Sequence, residues 1–164
     1  MKLELLRRGE TSPPSDAFIH DLARETGAAL KLSPDRLVSL LLTTDDEISV
    51  LNARYREVSG PTDVLSFSQL EGEGPETSIL GDIVISIERC ALQARARDVS
   101  LEGEFAWLFV HGVLHLLGYD HAEAEDAAFM QKRAEEVWAE LRRNLSLLAT
   151  CPPGPSVHHE GEHD

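Results

Sequence analysis

Three histidines lie close together in the stretch HGVLHLLGYDH, at His111, His115 and His121. If the stretch begins as a helix, His111 and His115 share one face, where imidazoles about 5 to 6 Å apart can reach one ion. Gly118 is typical of a helix end, and the turn after it allows His121 to fold back. Three neutral imidazoles suit one zinc ion and leave a fourth position open. The spacing therefore predicts a catalytic zinc site.

The same spacing occurs in a motif of zinc peptidases, H-E-x-x-H-x-x-G-x-x-H. This chain keeps the glycine, Gly118, but has Gly112 where the peptidases have a glutamate that activates water. Asp120 is predicted either to orient a histidine or to cap the next helix. Cys90 as a fourth ligand would make the zinc structural, but its helix is typical of packing. The absent glutamate argues against a peptidase.

A helix predicted after Thr44 carries two further polar candidates. Thr44 and Glu47 have the spacing of a capping box. Apolar residues then recur at helical spacing: Ile48, Leu51 and Tyr55. Asn52 and Arg56 lie four residues apart on a neighbouring stripe of this helix. From position alone, Arg56 is a surface arginine, and Asn52 either binds a ribose or caps a loop.

Four segments with strand character alternate with helical segments. The predicted strands cover residues 2–7, 36–44, 64–67 and 79–87, and the predicted helices begin at Ser15, Thr44, Glu88, Leu101 and Ala122. The second strand is a nearly continuous apolar run, typical of a strand buried on both faces. Asp63 and Asp82 are predicted to be structural. The pattern predicts an α/β (α+β) fold, with a small mixed sheet of about four strands covered by about five helices in one domain, residues 1–150.

The last helix is predicted to cover residues 122–148. Its apolar face is predicted to contain Phe129, Ala134, Val137, Trp138, Leu141 and Leu145. The sequence CPPGP then interrupts the helix, and residues 151–164 form an acidic, histidine-containing tail with too little apolar area to offset the entropy of ordering. We expect this tail to be disordered and its histidines, His158, His159 and His163, to bind metal only adventitiously.

Composition limits the classes of function. The chain has 164 residues, 42% hydrophobic and 27% charged, with only two cysteines, so we expect one domain in a reducing cytoplasm. No apolar run is long enough for a membrane span, and the start has no apolar signal region. The net charge of −14 argues against strong capture of phosphate backbones. Arginines nevertheless gather in two places, which indicates a local basic strip: Arg54 and Arg56, then Arg89, Arg95 and Arg97.

Several motifs together resemble one family. HGVLHLLGYDH resembles the H-G-x-L-H-L-x-G-Y-D-H signature of the YbeY-type bacterial rRNA maturation factors at every specified position. Upstream, LNARYR, PTDVLSF and LGDIVIS resemble further elements of that family in the same order, so the resemblance covers about residues 51–121. The chain differs in having Ser68 where the family usually has proline, and the segment EVSG lacks an aspartate often found there.

The resemblance implies a function and a set of roles. It implies an α/β fold with one zinc ion held by His111, His115 and His121, and a catalytic role for Arg56 in the cleft. It also implies a metal-dependent endoribonuclease specific for single strands, acting in 16S rRNA 3′-end maturation and 70S ribosome quality control. The implied partners are rRNA, the small ribosomal subunit and the GTPase Era, with no membrane.

Three hypotheses follow from the sequence. The first is the zinc-dependent endoribonuclease, in which Arg56 pairs with phosphate through its planar fork and Asn52 contacts substrate. The second is a zinc-stabilised ribosome assembly or docking factor with little intrinsic cleavage. The third is a zinc peptidase, which Gly112 disfavours. Either water or the substrate's own 2′-hydroxyl is a possible attacking group in the first.

Overall fold

A computed structural model describes residues 1–56, 62–68, 79–119 and 124–155 of the chain. Four strands lie within these residues: β1 (Lys2–Arg7), β2 (Leu37–Thr43), β3 (Val64–Ser68) and β4 (Ile79–Ser86). Five α-helices accompany them: α1 (Asp16–Ala29), α2 (Asp45–Arg56), α3 (Ile87–Arg97), α4 (Leu101–Leu116) and α5 (Ala124–Asn144). A 3-10 turn, Ser146–Leu148, follows α5.

The strands form one mixed sheet in the order β1-β2-β4-β3. β1 pairs in parallel with β2 and β2 in parallel with β4, whereas β3 is an antiparallel edge strand on β4. Parallel neighbours require a crossover, and α1 supplies the one between β1 and β2. The predicted α/β fold, with four strands and five helices in one domain, is confirmed.

The main core lies on one face of the sheet. There the buried side chains of β2 and β4, such as Leu40 and Ile83, pack with helices α1, α4 and α5. Helix α4 has 13 of its 16 residues buried, which fits its almost entirely apolar sequence and makes it the central helix of the fold. The three-dimensional core is therefore organised around the helix that carries His111 and His115.

The opposite face of the sheet is only partly covered. A small apolar cluster of Ile48, Leu65 and Val84 lies beneath α2. Along β2, Val38, Leu40 and Leu42 are fully buried. On the other face Leu37, Ser39 and Leu41 are half-buried, and Thr43, at the end of the strand, is buried. The prediction that this strand is buried on both faces was therefore wrong, because α2 is too short to cover the second face.

The predicted starts of α1 and α2 agree with the structure. The Ser15 side chain accepts a hydrogen bond from the Phe18 backbone N–H at 3.2 Å. The Thr44 hydroxyl accepts one from the Glu47 backbone N–H at 3.4 Å. The carboxylate of Glu47 instead accepts a hydrogen bond from Arg8 at 2.9 Å. Its partner is therefore the residue that follows β1, and not a group of the helix.

The C-terminal part differs from the prediction in three ways. α5 ends at Asn144, because Leu145 has extended backbone angles (φ −119°, ψ 110°). Phe129, predicted to lie on the apolar face, is 65% exposed, since that face begins one residue later at Met130, about 100° around the helix. Residues 151–155 pack on the core, where Cys151 is buried. A disordered tail therefore cannot begin at Cys151, and residues 156–164 lie outside the described residues.

Candidate functional site around the histidines of helix α4

His111 and His115 both lie on α4, as the spacing predicted. His111 is 1% exposed, and its Nδ1 lies 2.9 Å from the carbonyl oxygen of Trp107. A carbonyl oxygen only accepts hydrogen bonds, so Nδ1 carries the proton and donates, which leaves Nε2 as the nitrogen with a lone pair. Metal-bound histidines commonly have a carbonyl partner of this kind on the other ring nitrogen. The described part of the site therefore fits an ion that takes imidazole ligands.

The C-terminal segment holds the neighbour of His111 in place. The ring of Trp107 packs edge-on against the His111 ring, with centroids 4.6 Å apart. The Trp107 indole N–H donates to the carbonyl oxygen of Pro155 at 3.0 Å, and that of Trp138 donates to Cys151 at 3.1 Å. Trp107 was not among the predicted site residues, although its position one helical turn before His111 was a visible signal.

α4 ends in a Schellman motif at the predicted glycine. Gly118 has φ +97°, its N–H donates to the carbonyl oxygen of His115, and the N–H of Tyr119 donates to that of Leu114, each at 3.0 Å. Glycine adopts this left-handed conformation without the steric penalty of a Cβ atom. The chain is thus turned away from the helix axis three residues after His115. Asp120 and the predicted third ligand, His121, lie outside the described residues.

No group of three or more histidine, cysteine, aspartate or glutamate side chains is arranged to hold a metal within the ranges 1–56, 62–68, 79–119 and 124–155. Because His121 lies outside these ranges, the three-histidine site stays a prediction. Cys90 is fully buried in the main core, where burial raises the pKa of its thiol. Its predicted packing role is confirmed.

Gly112 lies on α4 close to strands β3 and β4. A Cβ atom at this position would lie 3.1 Å from Cδ1 of Ile83 in β4. The Gly112 carbonyl oxygen also accepts a hydrogen bond from the Ser66 hydroxyl at 3.3 Å. A glutamate side chain at position 112 would therefore crowd the Ile83 side chain, so this position favours a glycine.

Edge strand β3 is fastened to α4 by a second hydroxyl. Ser68 Oγ donates to the carbonyl oxygen of Leu116 at 3.1 Å. A proline, which the resemblance leads one to expect at this position, has no hydroxyl and could not make this bond. Ser66 and Ser68 together fix the register between β3 and the histidine helix, so the unusual serine is compatible with the site.

The two predicted polar residues, Asn52 and Arg56, both lie near the C-terminal end of α2. Asn52 is buried, with 1% of its surface exposed. α2 ends at Arg56, whose side chain lies outside the described part of the chain. Arg54 is exposed and lies over the ring of Tyr55, 5.9 Å from its centroid. The structure does not test the roles predicted for Asn52 and Arg56.

Asp63 and Asp82 occupy structural positions at either end of the edge-strand pairing. Asp63 is buried, and its carbonyl oxygen accepts a hydrogen bond from Ser86 at 3.0 Å. Asp82 lines a groove of about 600 Å³ on the open face of the sheet, together with Ser39, Arg54, Tyr55 and Phe67. Burial and the charge of Glu4 raise the pKa of Asp82.

The predicted basic strip is interrupted by carboxylates. Arg89 pairs with Asp45 at 3.1 Å, and Arg97 pairs with Glu104, a side chain that is only 4% exposed. Burial raises the pKa of Glu104, and the charge of Arg97 counteracts this effect. Two of the five arginines predicted to form a local basic strip therefore neutralise acidic groups of the fold.

The comparisons with known proteins agree with this architecture. The sequence profile of the family described as Endoribonuclease YbeY matches residues 10–142. The Endoribonuclease YbeY of Symbiobacterium thermophilum is 49% identical over 110 residues, 63% of this chain and 70% of the relative. That of Dehalococcoides mccartyi strain BAV1 is 37% identical over 145 residues, 80% of this chain and 90% of the relative.

A solved structure has the same fold. The solution structure of a Thermotoga maritima protein matches with a TM-score of 0.55 and 28% identity, covering 93% of this chain and 99% of that one. Among the described residues, no helix is both long and apolar enough to cross a membrane. On the family profile and the identities to its members, this chain belongs to the YbeY endoribonuclease family.

Proposed function

We propose that this chain is a zinc-dependent endoribonuclease that cleaves single-stranded RNA, with one zinc ion bound by His111, His115 and His121. The observation that supports the proposal is the hydrogen bond from His111 Nδ1 to the Trp107 carbonyl, because it leaves Nε2 with the lone pair that a metal ligand needs. The Schellman turn at Gly118 supports the proposed approach of His121, because it ends the helix three residues after His115.

The residues of the chain divide the work of phosphodiester cleavage. Cleavage places extra negative charge on the phosphate oxygens, and Arg56 is proposed to pair with two of them through its planar guanidinium. The His111 ring is held rigidly by Trp107 and by burial, so it needs no rearrangement to act as a ligand. A bound zinc supplies Lewis acidity that stabilises the same developing charge.

The substrate is proposed to be rRNA, in 16S 3′-end maturation and ribosome quality control in the cytoplasm, with the small subunit and the GTPase Era as partners. The net charge of the chain supports an RNA substrate that is already held in a ribosomal particle. With a net charge of −14 and with Arg89 and Arg97 neutralised, the chain is poorly equipped to capture free RNA. We expect weak binding of free RNA with a shallow dependence on salt concentration.

The test is the yield and 3′-end chemistry of fragments from a single-stranded 16S 3′-end RNA. Zinc-loaded protein is compared with Arg56→Ala and with Arg54→Ala, a control that removes an exposed arginine two residues earlier on α2. We expect Arg56→Ala alone to lose cleavage by at least a hundredfold, since one preorganised charge-stabilising group is worth about 10²–10³ in rate.

The end groups identify the attacking oxygen. A 2′,3′-cyclic phosphate indicates attack by the 2′-hydroxyl, whereas a 3′-hydroxyl with a 5′-phosphate on the other fragment indicates attack by water. Equal cleavage by native protein and Arg56→Ala would contradict the proposal and favour the ribosome docking factor. His115→Ala provides the second arm, and it should lose bound zinc measured by elemental analysis.

A further inference from the structure

Two aromatic side chains form an exposed stack beside the end of α4. The rings of Tyr119 and Phe129 have centroids 6.0 Å apart and planes inclined by only 20°. Phe129 is a large apolar side chain, yet it is 65% exposed, because the buried face of α5 lies on another side of the helix. Leaving such a ring in water gives up the stabilisation that burial would provide. The stack therefore marks a place where a flat ligand could cover the ring.

The stack borders a cavity next to the histidine helix. The cavity has a volume of about 550 Å³ and is lined by Leu117, Gly118, Tyr119, Asp126 and Phe129. Its first lining residue follows His115 by two positions, and the Schellman bonds fix Gly118 and Tyr119 to the helix. Any ligand in this cavity would lie against the segment that joins His115 to the proposed third ligand.

We propose that Tyr119 and Phe129 form a stacking platform for one unpaired nucleobase of the RNA substrate; this rests on the proposed function. An unpaired base exposes the flat face that RNA-binding aromatic side chains use for stacking. A base on the solvent-facing side of Phe129 would extend the existing stack by one ring. The Asp126 carboxylate on the cavity wall accepts hydrogen bonds from base amino groups but repels phosphates. The cavity is therefore suited to the base and not to the backbone.

The test separates binding from cleavage. A fluorescent single-stranded RNA with 2′-O-methyl riboses is titrated with zinc-loaded protein, its anisotropy is followed, and its length is checked afterwards. Phe129→Ala is compared with Phe129→Tyr, which keeps the ring, and with Leu147→Ala, which removes another exposed apolar side chain beyond the end of α5. A second RNA series lacks one base at a time.

We expect Phe129→Ala to raise the dissociation constant about 5- to 150-fold, since stacking is worth about 1–3 kcal/mol per base. Phe129→Tyr and Leu147→Ala should bind like the native protein. For the native protein, removal of the base at one position of the RNA should weaken binding as much as Phe129→Ala does. The same abasic RNA should bind Phe129→Ala no more weakly than the intact RNA does.

Native affinity in Phe129→Ala, or equal effects at every abasic position, would overturn the proposal. If sedimentation showed that the native protein is a dimer and that Phe129→Ala is not, the stack would belong to an interface between two copies of the chain. That result would also overturn the proposal. Base-dependent binding without zinc-dependent cleavage would instead refute the nuclease and leave the stacking platform standing.

Discussion

Removing the C-terminal segment should destabilise the fold at a distance from the sheet. Truncation after Thr150 deletes the carbonyl groups that accept hydrogen bonds from Trp107 and Trp138, both of which are 1% exposed. It also deletes Cys151, which is buried in the core. Each indole N–H left without its partner costs about 1 kcal/mol, at the low end of the usual range because water gains access to the opened surface.

The loss of the Cys151 side chain from the core adds about 1 kcal/mol. We therefore expect the free energy of unfolding to fall by about 3 kcal/mol, which corresponds to a decrease in Tm of about 6 to 12 °C for a chain of this size. The assay is urea denaturation followed by circular dichroism at 222 nm, a signal dominated by the helical backbone.

The matched control is truncation after Pro155, which keeps every one of these contacts. Gly154→Ala is an intermediate perturbation at full length, because its Cβ atom would lie 2.5 Å from Nε1 of Trp107. It should lose part of the same stability. The reasoning would be refuted if the two truncated chains unfolded within 1 kcal/mol of each other.

Three further predictions concern stability. Gly118→Ala should lower the free energy of unfolding by about 1 kcal/mol in urea denaturation, because φ is +97° and nothing within 4 Å would contact the new Cβ; a neutral result would refute the strain. Asp82→Asn should be more stable than the native chain at pH 7. Burial and the charge of Glu4 raise the pKa of Asp82 in the native state above its value in the unfolded chain, so the native state binds the proton more tightly. The free energy of unfolding therefore falls as pH rises from the unfolded-state pKa through the native-state pKa. The advantage of Asn should therefore shrink towards pH 3, and a difference independent of pH would contradict this. Gly112→Ala should lose about 1 kcal/mol through crowding against Ile83, and Ile83→Val should reduce that loss in a double-mutant cycle.

The strands and most helices were predictable because their signals are local. Short segments with strand character, such as the apolar run of β2, identified the strands. Apolar residues at helical spacing identified the helices, and side-chain caps such as Ser15 fixed the helix starts. Gly118 likewise predicted the end of α4, since few other residues adopt its backbone angles. The spacing of His111 and His115 could be converted into a shared helix face for the same reason.

The features that escaped prediction depend on distant partners. The segment after Thr150 has the composition of a chain break, yet its carbonyls satisfy indoles 13 and 48 residues away. The arginines looked like an RNA-binding strip until the fold placed Asp45 and Glu104 beside two of them. Phe129 was misplaced by a single residue of helical phase, which is enough to move a side chain from core to solvent.

The position of the C-terminal segment has a consequence for biosynthesis. Residues 151–155 leave the ribosome after all the strands and helices described above, yet they cover Trp107 and Trp138. Until residues 151–155 have left the ribosome, Trp107 and Trp138 lack the carbonyl groups that accept their hydrogen bonds. A core that is incomplete in this way exposes apolar surface to other chains. A chain that lacks residues 151–155 would remain in this exposed state.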